Sequence, residues 1–350
     1  IFHSDSDMIT VDSLFDNIIV YRSVVYMCKN VISIIVPCYN EEEMIPLFYD
    51  EIDKISQEMN AITFEFIFVN DGSRDATLDR LKELASRDAR VRYYSFSRNF
   101  GKEAALYAGL VHSHGDYVAV MDVDLQDPPE LLPEMYRLIQ DEGYDCIGTR
   151  RKDREGEPVI RSFFARGFYK LINRISDTEI IDGARDFRLM SRQMVNAILS
   201  MTEYNRFSKG IFSWVGFETK YLEFENKERV AGQTTWSFWS LFKYSLDGIV
   251  AFSEIPLALA SIVGFITFGV AIILAFFFAI RTLLFGNPTS GWTSMIVIVL
   301  ALGGIQLLSL GIIGKYLGKT FLETKKRPIY ILKESNHSSL SVMKDEEKNE

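Results

Sequence analysis

The chain has 350 residues, a formal net charge of -9 and an apolar fraction of 48%. That length allows one large domain with an additional segment, and that apolar content allows a sizeable core. The negative charge argues against a nucleic-acid-binding protein, for which a basic surface is expected. Three cysteines, Cys28, Cys38 and Cys146, have no CxxC spacing, which indicates reduced, buried thiols rather than a zinc site or a disulfide framework.

The first 30 residues show no clear periodicity. They lack a basic segment followed by an apolar segment, so they do not predict a secretory signal peptide. Met27 lies just before the first strong strand pattern. We therefore treat residues 1–30 as an extension of unclear role and expect residues 1–26 to contribute little to function.

From Val31 onward, apolar β-branched segments alternate with segments of helical periodicity. The predicted strands are 31–37, 64–70, 91–96, 117–122 and 146–149, and the predicted helices include 41–59 and one that ends near residue 86. This alternation predicts an α/β domain with a mostly parallel sheet, which we place at residues 31–233. Ligands of such sheets bind beyond the carboxyl ends of the strands, so the residues after each strand form the candidate site.

Two uncharged stretches, 255–280 and 292–314, follow the α/β domain. Each is longer than the roughly 20 residues that span a bilayer. Because the turn signal Gly286-Asn287-Pro288 separates them, they predict a transmembrane helical hairpin within residues 254–314.

The charges that flank the hairpin predict its orientation. The connecting region holds one basic residue, Arg281. The segment after the second stretch holds five, namely Lys315, Lys319, Lys325, Lys326 and Arg327. The positive-inside rule therefore predicts that both ends of the hairpin, and with them the α/β domain, face the cytoplasm. Residues 315–350 would be a cytoplasmic tail, first basic and then acidic.

A tryptophan-rich segment, 234–253, precedes the first stretch. Trp236, Trp239, Phe242 and Leu246 fall on one face of a helix. Such a helix beside a membrane span is typical of an in-plane interfacial anchor. The alternative is a helix that packs on the α/β domain.

An acidic segment, MDVDLQDPPE at 121–130, follows the fourth predicted strand. Asp122, Asp124 and Asp127 place three carboxylates within a short loop, where they repel one another unless a cation is bound. In an extended segment, alternate residues point the same way, so Asp122, Asp124 and Gln126 can present oxygens together. The pattern predicts a site for Mg²⁺ or Mn²⁺ that also ligates a diphosphate.

Polar residues follow the other strands as well. After the first strand come Pro37, Tyr39 and Glu41, and Asp71 and Gly72 follow the second. Singly, such residues are more often turns or helix caps, but parallel strands bring them to one sheet edge. After the third strand, Lys102 can meet phosphate charge. A dinucleotide-binding Rossmann domain is disfavoured, because no GxGxxG motif follows a strand.

Six segments together resemble the polyprenyl-phosphate glycosyltransferases, a group that includes dolichol-phosphate mannose synthase and bactoprenol glucosyltransferases. The segments are IIVPCYNEEE (34–43), VNDGSRDAT (69–77), SRNFGKEAAL (97–106), MDVDLQDPPE (121–130), RDFRLMSR (185–192) and FSKGIFSWVGF (207–217). The resemblance runs from about 31 to 318. It implies the GT-A fold and inverting transfer of a hexose or N-acetylhexosamine from a nucleotide-sugar to polyprenyl phosphate. UDP-glucose and UDP-N-acetylglucosamine are the leading donors, GDP-mannose is third, and a homo-oligomer is implied.

The resemblance also implies roles for individual residues. The implied metal ligands are Asp122, Asp124 and Gln126. The implied nucleotide-sugar pocket is Pro37, Tyr39, Glu41, Asp71, Gly72, Lys102 and Asp122. The candidate catalytic residues are Asp124, Asp186 and Lys102, and Asp186 would alternatively orient the flanking arginines or contact the donor sugar. The candidate acceptor-phosphate ligands are Arg161, Arg166 and Arg188. Arg161 and Arg166 belong to a basic stretch whose alternative role is a solvated loop that attracts anionic lipid. One departure is Arg185, where many relatives have Gly.

Two other functions share some of these features. A processive polysaccharide synthase has similar early motifs, but its QxxRW motif is missing here. A catalytically inactive membrane scaffold would have no need of the acidic loop, whose clustered carboxylates carry a cost without a cation.

Overall fold

The computed structural model describes residues 30–152, 183–225, 253–285 and 291–337, with the single residues 173, 181, 249 and 250. Several predictions concern residues outside these ranges. They are the extension 1–29, the arginines Arg161 and Arg166, nearly all of the interfacial helix 234–253, the turn at 286–288 and the acidic end of the tail.

The described chain contains eight strands and eight α-helices. The strands are β1 (Val31–Cys38), β2 (Thr63–Asn70), β3 (Val91–Phe96), β4 (Tyr117–Val120), β5 (Cys146–Arg151), β6 (Ala184–Ser191), β7 (Thr219–Phe224) and β8 (Leu332–Ser335). The helices are α1 (Met44–Glu58), α2 (Thr77–Arg87), α3 (Lys102–Val111), α4 (Leu132–Glu142), α5 (Arg192–Ser200), α6 (Ser208–Trp214), α7 (Ile255–Phe285) and α8 (Trp292–Thr324). A short 3₁₀ turn, Pro129–Leu131, leads into α4.

All eight strands belong to one mixed sheet in the order β7-β5-β6-β4-β1-β2-β3-β8. The central strands β4, β1, β2 and β3 are mutually parallel, as predicted. Strand β6 is antiparallel to both of its neighbours, β4 and β5. Its amino end therefore lies at the same sheet edge as the carboxyl ends of the central strands. The prediction missed β6, whose sequence ARDFRLMS begins with charged residues and has no apolar run.

Helices cover both faces of the sheet. Because side chains alternate along a strand, Ile34 of β1 packs with α1, α2 and α4 on one face, and Ile35 packs with α3, α5 and α6 on the other. A Cβ atom at Gly109 of α3 would lie 2.2 Å from Ile35 Cγ2, so a glycine is needed where this helix crosses β1. The structure is thus the predicted α/β arrangement with three layers.

Two long apolar helices extend from this domain and contact each other. By length and composition, two segments could cross a membrane: Ile255–Phe285, with mean hydropathy 2.7, and Ala301–Thr324, with 1.3. Helix α8 continues beyond the predicted end at residue 314, because the loss of apolar character marks the end of a membrane span and not of a helix. Residues 315–324 are therefore helical, and only the segment after them leaves the helix.

After α8 the chain returns to the α/β domain. Strand β8 adds to the free edge of β3 as an antiparallel neighbour, with Tyr94 opposite Ser335. The Asn336 side chain extends this pairing through bonds to the backbone of Tyr93 and Val91, both 2.8 Å. On α8, the Glu323 carboxylate accepts hydrogen bonds from the backbone N–H groups of residues 204 and 205. The carboxyl end of the hairpin consequently meets the α/β domain, and the Tyr316 hydroxyl of α8 donates to the carbonyl of Ser253, just before α7, at 2.6 Å.

Candidate active site

The predicted site residues that the structure describes gather at one edge of the sheet. Pro37 lies at the end of β1 and Tyr39 follows it, Asp71 follows β2, and Lys102 begins α3 after β3. The acidic loop follows β4, and Asp186 lies near the amino end of β6. Parallel strands bring the first four segments together, and the antiparallel β6 adds the fifth.

A lysine between two carboxylates forms the centre of this edge. The Lys102 ammonium lies 2.7 Å from Asp122 Oδ1 and 2.9 Å from Asp122 Oδ2, and it also donates to Asp186 Oδ2. Burial disfavours the charged lysine, but the two carboxylates outweigh burial and raise the pKa of Lys102. Burial likewise opposes ionisation of Asp186, yet Lys102 and then Lys209 lower its pKa well below the usual range. Lys102 and Asp186 are therefore both charged at neutral pH.

The acidic loop divides its carboxylates between different roles. Asp124 is 5% exposed, and its Oδ1 accepts the backbone N–H of Gln126 at 3.2 Å. Asp127 is 2% exposed and pairs with Arg185, whose Nε donates to Asp127 Oδ1 at 2.6 Å. Burial raises the pKa of Asp127 to about 6, although Arg185 opposes the shift. Asp127, which was not among the predicted metal ligands, is therefore held in an ion pair with Arg185.

The donor atoms of the loop fit a divalent cation that arrives with a substrate. Asp124 and Gln126 offer a carboxylate and an amide oxygen, and Asp122 shares its carboxylate with Lys102. Among the described residues, no group of three or more acidic, histidine or cysteine side chains is assembled as a metal cage. Mg²⁺ in phosphate-transfer enzymes is held by one or two carboxylates plus substrate phosphates. The residues therefore fit a metal bound jointly with a diphosphate, and not a stand-alone site.

Arg185, the departure from the resemblance, reaches into this loop. Besides its ion pair with Asp127, its Nη2 lies 3.4 Å from Gln126 Oε1. Arg151 Nη2 approaches the same oxygen at 3.3 Å. Two guanidinium groups thus orient one amide, and both lie where the negative charge of a diphosphate would be attracted.

Asp71 holds the loop that leads to Lys102. Its Oδ1 accepts the N–H of Phe100 at 2.6 Å, and its Oδ2 accepts the N–H of Gly101 at 3.0 Å. Burial raises the pKa of Asp71 to about 6, and these two hydrogen bonds oppose the shift. Gly72 has a φ of 65°, and a Cβ there would lie 2.4 Å from the Arg98 carbonyl carbon. Asp71 and Gly72 therefore shape the loop after β3, whatever part they take in nucleotide binding.

Asp71→Asn is expected to raise the KM for the nucleotide-sugar about tenfold, close to the effect of one lost charged hydrogen bond. An amide can accept only one of the two N–H groups, and its own NH₂ opposes the other. Steady-state kinetics measure the change. Asp79→Asn on the exposed face of α2 is the control. An unchanged KM in Asp71→Asn would show that the loop does not need this carboxylate.

The residues after β1 form an exposed rim. The Tyr39 side chain is 38% exposed, which leaves its ring open to a planar partner. The Glu41 carbonyl accepts from the N–H groups of Met44 and Ile45, so its backbone starts α1. Asn40, with a φ of 55°, accepts the Arg74 N–H and ties this rim to the loop after β2.

Arg188 corrects one prediction. Its side chain is 2% exposed, and its guanidinium donates to the carbonyl oxygens of Arg185 (3.0 Å) and Asp186 (3.4 Å). The guanidinium carbon lies 3.8 Å from the centroid of the Phe212 ring. Arg188 was expected to bind the acceptor phosphate. It lies instead buried two residues further along β6, on the same face as Asp186 but farther from the sheet edge, and it supports the backbone that carries Asp186.

Lys209 is a residue of the site that the sequence did not single out. Its Nζ donates to the Ala184 carbonyl at 3.1 Å, and its charge contributes to the lowered pKa of Asp186. Beside it, the backbone N–H of Ser208 donates to Glu103, the residue after Lys102, at 3.0 Å. The segment 207–217 is one of the six that carry the resemblance, but nothing in its sequence ties it to Asp186.

Comparisons with known proteins identify the family of this chain. Residues 33–199 match the model of glycosyl transferase family 2. The protein CsbB of Bacillus subtilis (strain 168) is 46% identical over 310 residues, which are 89% of this chain and 93% of the relative. The prophage bactoprenol glucosyl transferase homolog of Escherichia coli (strain K12) is 44% identical over 302 residues, 86% and 98% of the two chains.

The chain belongs to the polyprenyl-phosphate glycosyltransferases of glycosyl transferase family 2. A further member, the SfII prophage-derived bactoprenol glucosyl transferase of Shigella flexneri, is 43% identical over 308 residues, which cover 88% of this chain and 99% of the relative. Among solved structures, glucosyl-3-phosphoglycerate synthase from Mycobacterium tuberculosis has a TM-score of 0.44 and 20% identity over 65% of this chain and 79% of that one. Membership therefore rests on the sequence relatives, and the mixed sheet is the GT-A fold of this family.

Proposed function

We propose that this family member transfers a hexose or N-acetylhexosamine from a UDP-sugar to polyprenyl phosphate, with inversion. The observation that carries the proposal is the sheet edge where Lys102, Asp122 and Asp186 meet the acidic loop. This chain matches two relatives over 98% or more of their length, and both are named as a bactoprenol glucosyl transferase or its homolog. Those names support polyprenyl phosphate as the acceptor. UDP-glucose and UDP-N-acetylglucosamine are the proposed donors.

Departure of the nucleoside diphosphate is the step that the site assists. The bond between the sugar C1 and the diphosphate oxygen breaks, and negative charge grows on the diphosphate. A divalent cation, Mg²⁺ or Mn²⁺, held by Asp124 and Gln126 would neutralise part of that charge. Arg151 and Arg185 already lie beside Gln126 Oε1, where they can contact the diphosphate. Fixed cations stabilise developing charge without reorganisation, which is the main source of catalysis in such sites.

The nucleophile in this reaction is an oxygen atom of the acceptor phosphate. With a second pKa near about 6, a phosphate monoester is mostly dianionic at neutral pH, so its oxygen can attack C1 without a general base. The lowered pKa of Asp186 agrees with this, because a carboxylate that holds its negative charge so firmly is a poor base. We assign Asp186, with Lys209, the role of holding Lys102 in place.

The hairpin is proposed to anchor the enzyme in the cytoplasmic membrane with the α/β domain and both hairpin ends on the cytoplasmic face. The carboxyl end of the hairpin contacts the domain through Glu323 and β8, and the Tyr316–Ser253 hydrogen bond joins the two ends, which supports a common side for them. The five basic residues after position 314 support the cytoplasmic side.

Cysteine labelling tests this orientation. In a variant whose native cysteines are replaced by serine, Ser290→Cys is expected to react with a membrane-impermeant maleimide in intact cells. Lys325→Cys is expected to react only after the cells are permeabilised, because cations near the membrane remain on the cytoplasmic side. The reverse pattern would refute the proposed orientation.

A donor panel tests the reaction. The full chain in detergent is incubated with undecaprenyl phosphate and, separately, UDP-glucose, UDP-N-acetylglucosamine and GDP-mannose, with and without Mg²⁺ or Mn²⁺. We expect one of the two UDP-sugars to give a lipid-linked sugar, and to do so only when metal is present. Product from none of the donors would contradict the proposed function. Nucleotide-dependent Mn²⁺ binding in the same preparation separates an enzyme from an inactive scaffold.

A further inference from the structure

The segment that follows α8 crosses the edge of the sheet as a strap, which we define as residues 329–336. Lys326, whose φ is 47°, follows the end of α8 and turns the chain. The strap then pairs with β3, and the backbone N–H of Ser97 donates to the Ile331 carbonyl at 3.0 Å. Because Ser97 is the first residue after β3, the strap reaches the start of the loop that leads to Lys102.

Within the strap, Tyr330 makes the contacts with this region. Its ring stacks on Phe96, the last residue of β3, with the ring centroids 5.0 Å apart and the planes 18° apart. It also meets Tyr107 of α3 with the ring centroids 6.4 Å apart and the planes at 64°. Its hydroxyl lies 3.2 Å from Nε2 of His112, the residue that follows α3. One side chain thus bridges the strand before the loop and the helix after it.

The loop between β3 and α3 is therefore held at both ends. At its end, the Asp71 carboxylate accepts the N–H groups of Phe100 and Gly101. At its start, Phe96 is 2% exposed, and the Phe100 ring meets it edge-on with the ring centroids 5.7 Å apart. Tyr330 and Phe100 thus share Phe96 as a neighbour. Because packed side chains transmit displacements, a shift of Phe96 reaches Phe100 and then the residue that begins α3.

Pairing of the strap with β3 does not by itself require this tyrosine. Strand β8 begins at Leu332, so Tyr330 lies outside it, and its ring contacts the last residue of β3 and α3. The position of Lys102 is demanding, because its ammonium lies 2.7 Å from Asp122 and also donates to Asp186. A misplacement of about 1 Å is enough to cost a catalytic site much of its rate.

We propose that Tyr330 is a positioning residue for Lys102, which it serves by holding the end of β3 against α3. Its effect on the rate rests on the proposed function, in which Lys102 takes part in sugar transfer, whereas its effect on the loop does not. Tyr330 lies six residues after Thr324, the last residue of α8. The same contact therefore ties the geometry of the active site to the helical hairpin.

Hydrogen–deuterium exchange of the full chain in detergent tests the positioning without any substrate. Tyr330→Ala is expected to speed the exchange of the Phe100 and Gly101 N–H groups about tenfold, because their bonds to Asp71 open more often when the loop is held at one end only. Exchange is measured on the peptide that contains residues 97–102.

Two further variants are the controls. Tyr330→Phe keeps the ring and should exchange like the wild type. Burial lowers the pKa of His112 to about 4 and raises that of Tyr330 to about 12, so the lost contact joins two neutral groups and is weak. Asn336→Ala removes two hydrogen bonds at the far end of the strap. It should speed exchange at Tyr93 and leave the loop unchanged.

Kinetics test whether Tyr330 acts through Lys102. With the UDP-sugar that the donor panel identifies, Tyr330→Ala is expected to lower kcat/KM about tenfold, and Tyr330→Phe should restore the wild-type value. In the Lys102→Met background, Tyr330→Ala should have no further effect, because the group that it positions is absent. A loss of stability alone would lower the rate equally in both backgrounds.

Unchanged exchange at Phe100 and Gly101 in Tyr330→Ala, or an equal loss of rate in both backgrounds, overturns the proposal. If Tyr330→Ala does not fold, Tyr330→Leu, which keeps apolar volume without a flat ring, is measured with the same expectations. Absence of transfer by the wild type contradicts the proposed function alone, because the exchange experiment needs no substrate and still decides whether Tyr330 holds the loop.

Discussion

Asp124→Asn is expected to reduce sugar transfer on the order of 100-fold, which corresponds to ~2.7 kcal/mol of transition-state stabilisation. The amide keeps the shape of the side chain and can still accept the Gln126 N–H, so the loop should stay folded. It lacks the negative charge that a divalent cation needs. Added Mn²⁺ should rescue the variant only weakly. The measurement is the initial rate against metal concentration.

Asp141→Asn is the matched control for this change. Asp141 lies on α4, and its side chain is 60% exposed in an ion pair with Arg137. It loses the same charge far from the sheet edge, so its rate should equal that of the wild type. Turnover of Asp124→Asn near the wild-type rate at ordinary metal concentration would remove Asp124 from the metal site.

Lys102→Met is expected to lower kcat by about 100-fold or more and to reduce stability. Without the ammonium, Asp122 and Asp186 lose the cation that lies between them and repel each other. Because 34% of the lysine side chain is exposed, we expect the loss of stability to be about 1–2 kcal/mol and not the full cost of breaking a buried pair. The activity loss reflects both the missing cation and the displaced Asp122.

The double variant Lys102→Met/Asp186→Asn separates these two effects. Removing one of the repelling charges should restore much of the lost stability, as judged from the unfolding midpoint in urea. Activity should stay low, because no cation is regained. Recovery of activity together with stability would show that Lys102 has a structural role only. Lys54→Met, at an exposed position on α1, is the control for a lost surface lysine.

The central part of the fold could be predicted from the sequence. The apolar, β-branched segments of β1 and β2 predict buried strands because a parallel strand covered on both faces must be apolar throughout. The uncharged stretches of α7 and α8 predict two long apolar helices just as directly. By contrast, β6 and β8 carry charges, and β8 is only four residues long. Their pairing is set by distant partners that no local pattern encodes.

Part of the candidate active site could likewise be predicted from the sequence. Because Asp122, Asp124 and Asp71 follow buried strands, sheet topology alone gathers them at one edge. The partners of each charge were not predictable. Asp127 and Arg185 are 58 residues apart in the chain, and Lys102 and Asp186 are 84 apart. Arg188 had the residue type of a phosphate ligand, and only its buried position on β6 reveals a supporting role.

The pairing of β8 with β3 also imposes an order on biosynthesis. The Asn336 side chain accepts the backbone N–H of Tyr93 across 243 residues, and the whole helical hairpin lies between them in the chain. While a ribosome is still making α7 and α8, the β3 edge has no neighbour on that side and offers its backbone to any other strand. A chain in which β8 does not reach β3 would therefore keep an open, aggregation-prone sheet edge. Completion of the sheet thus depends on synthesis of the last helix.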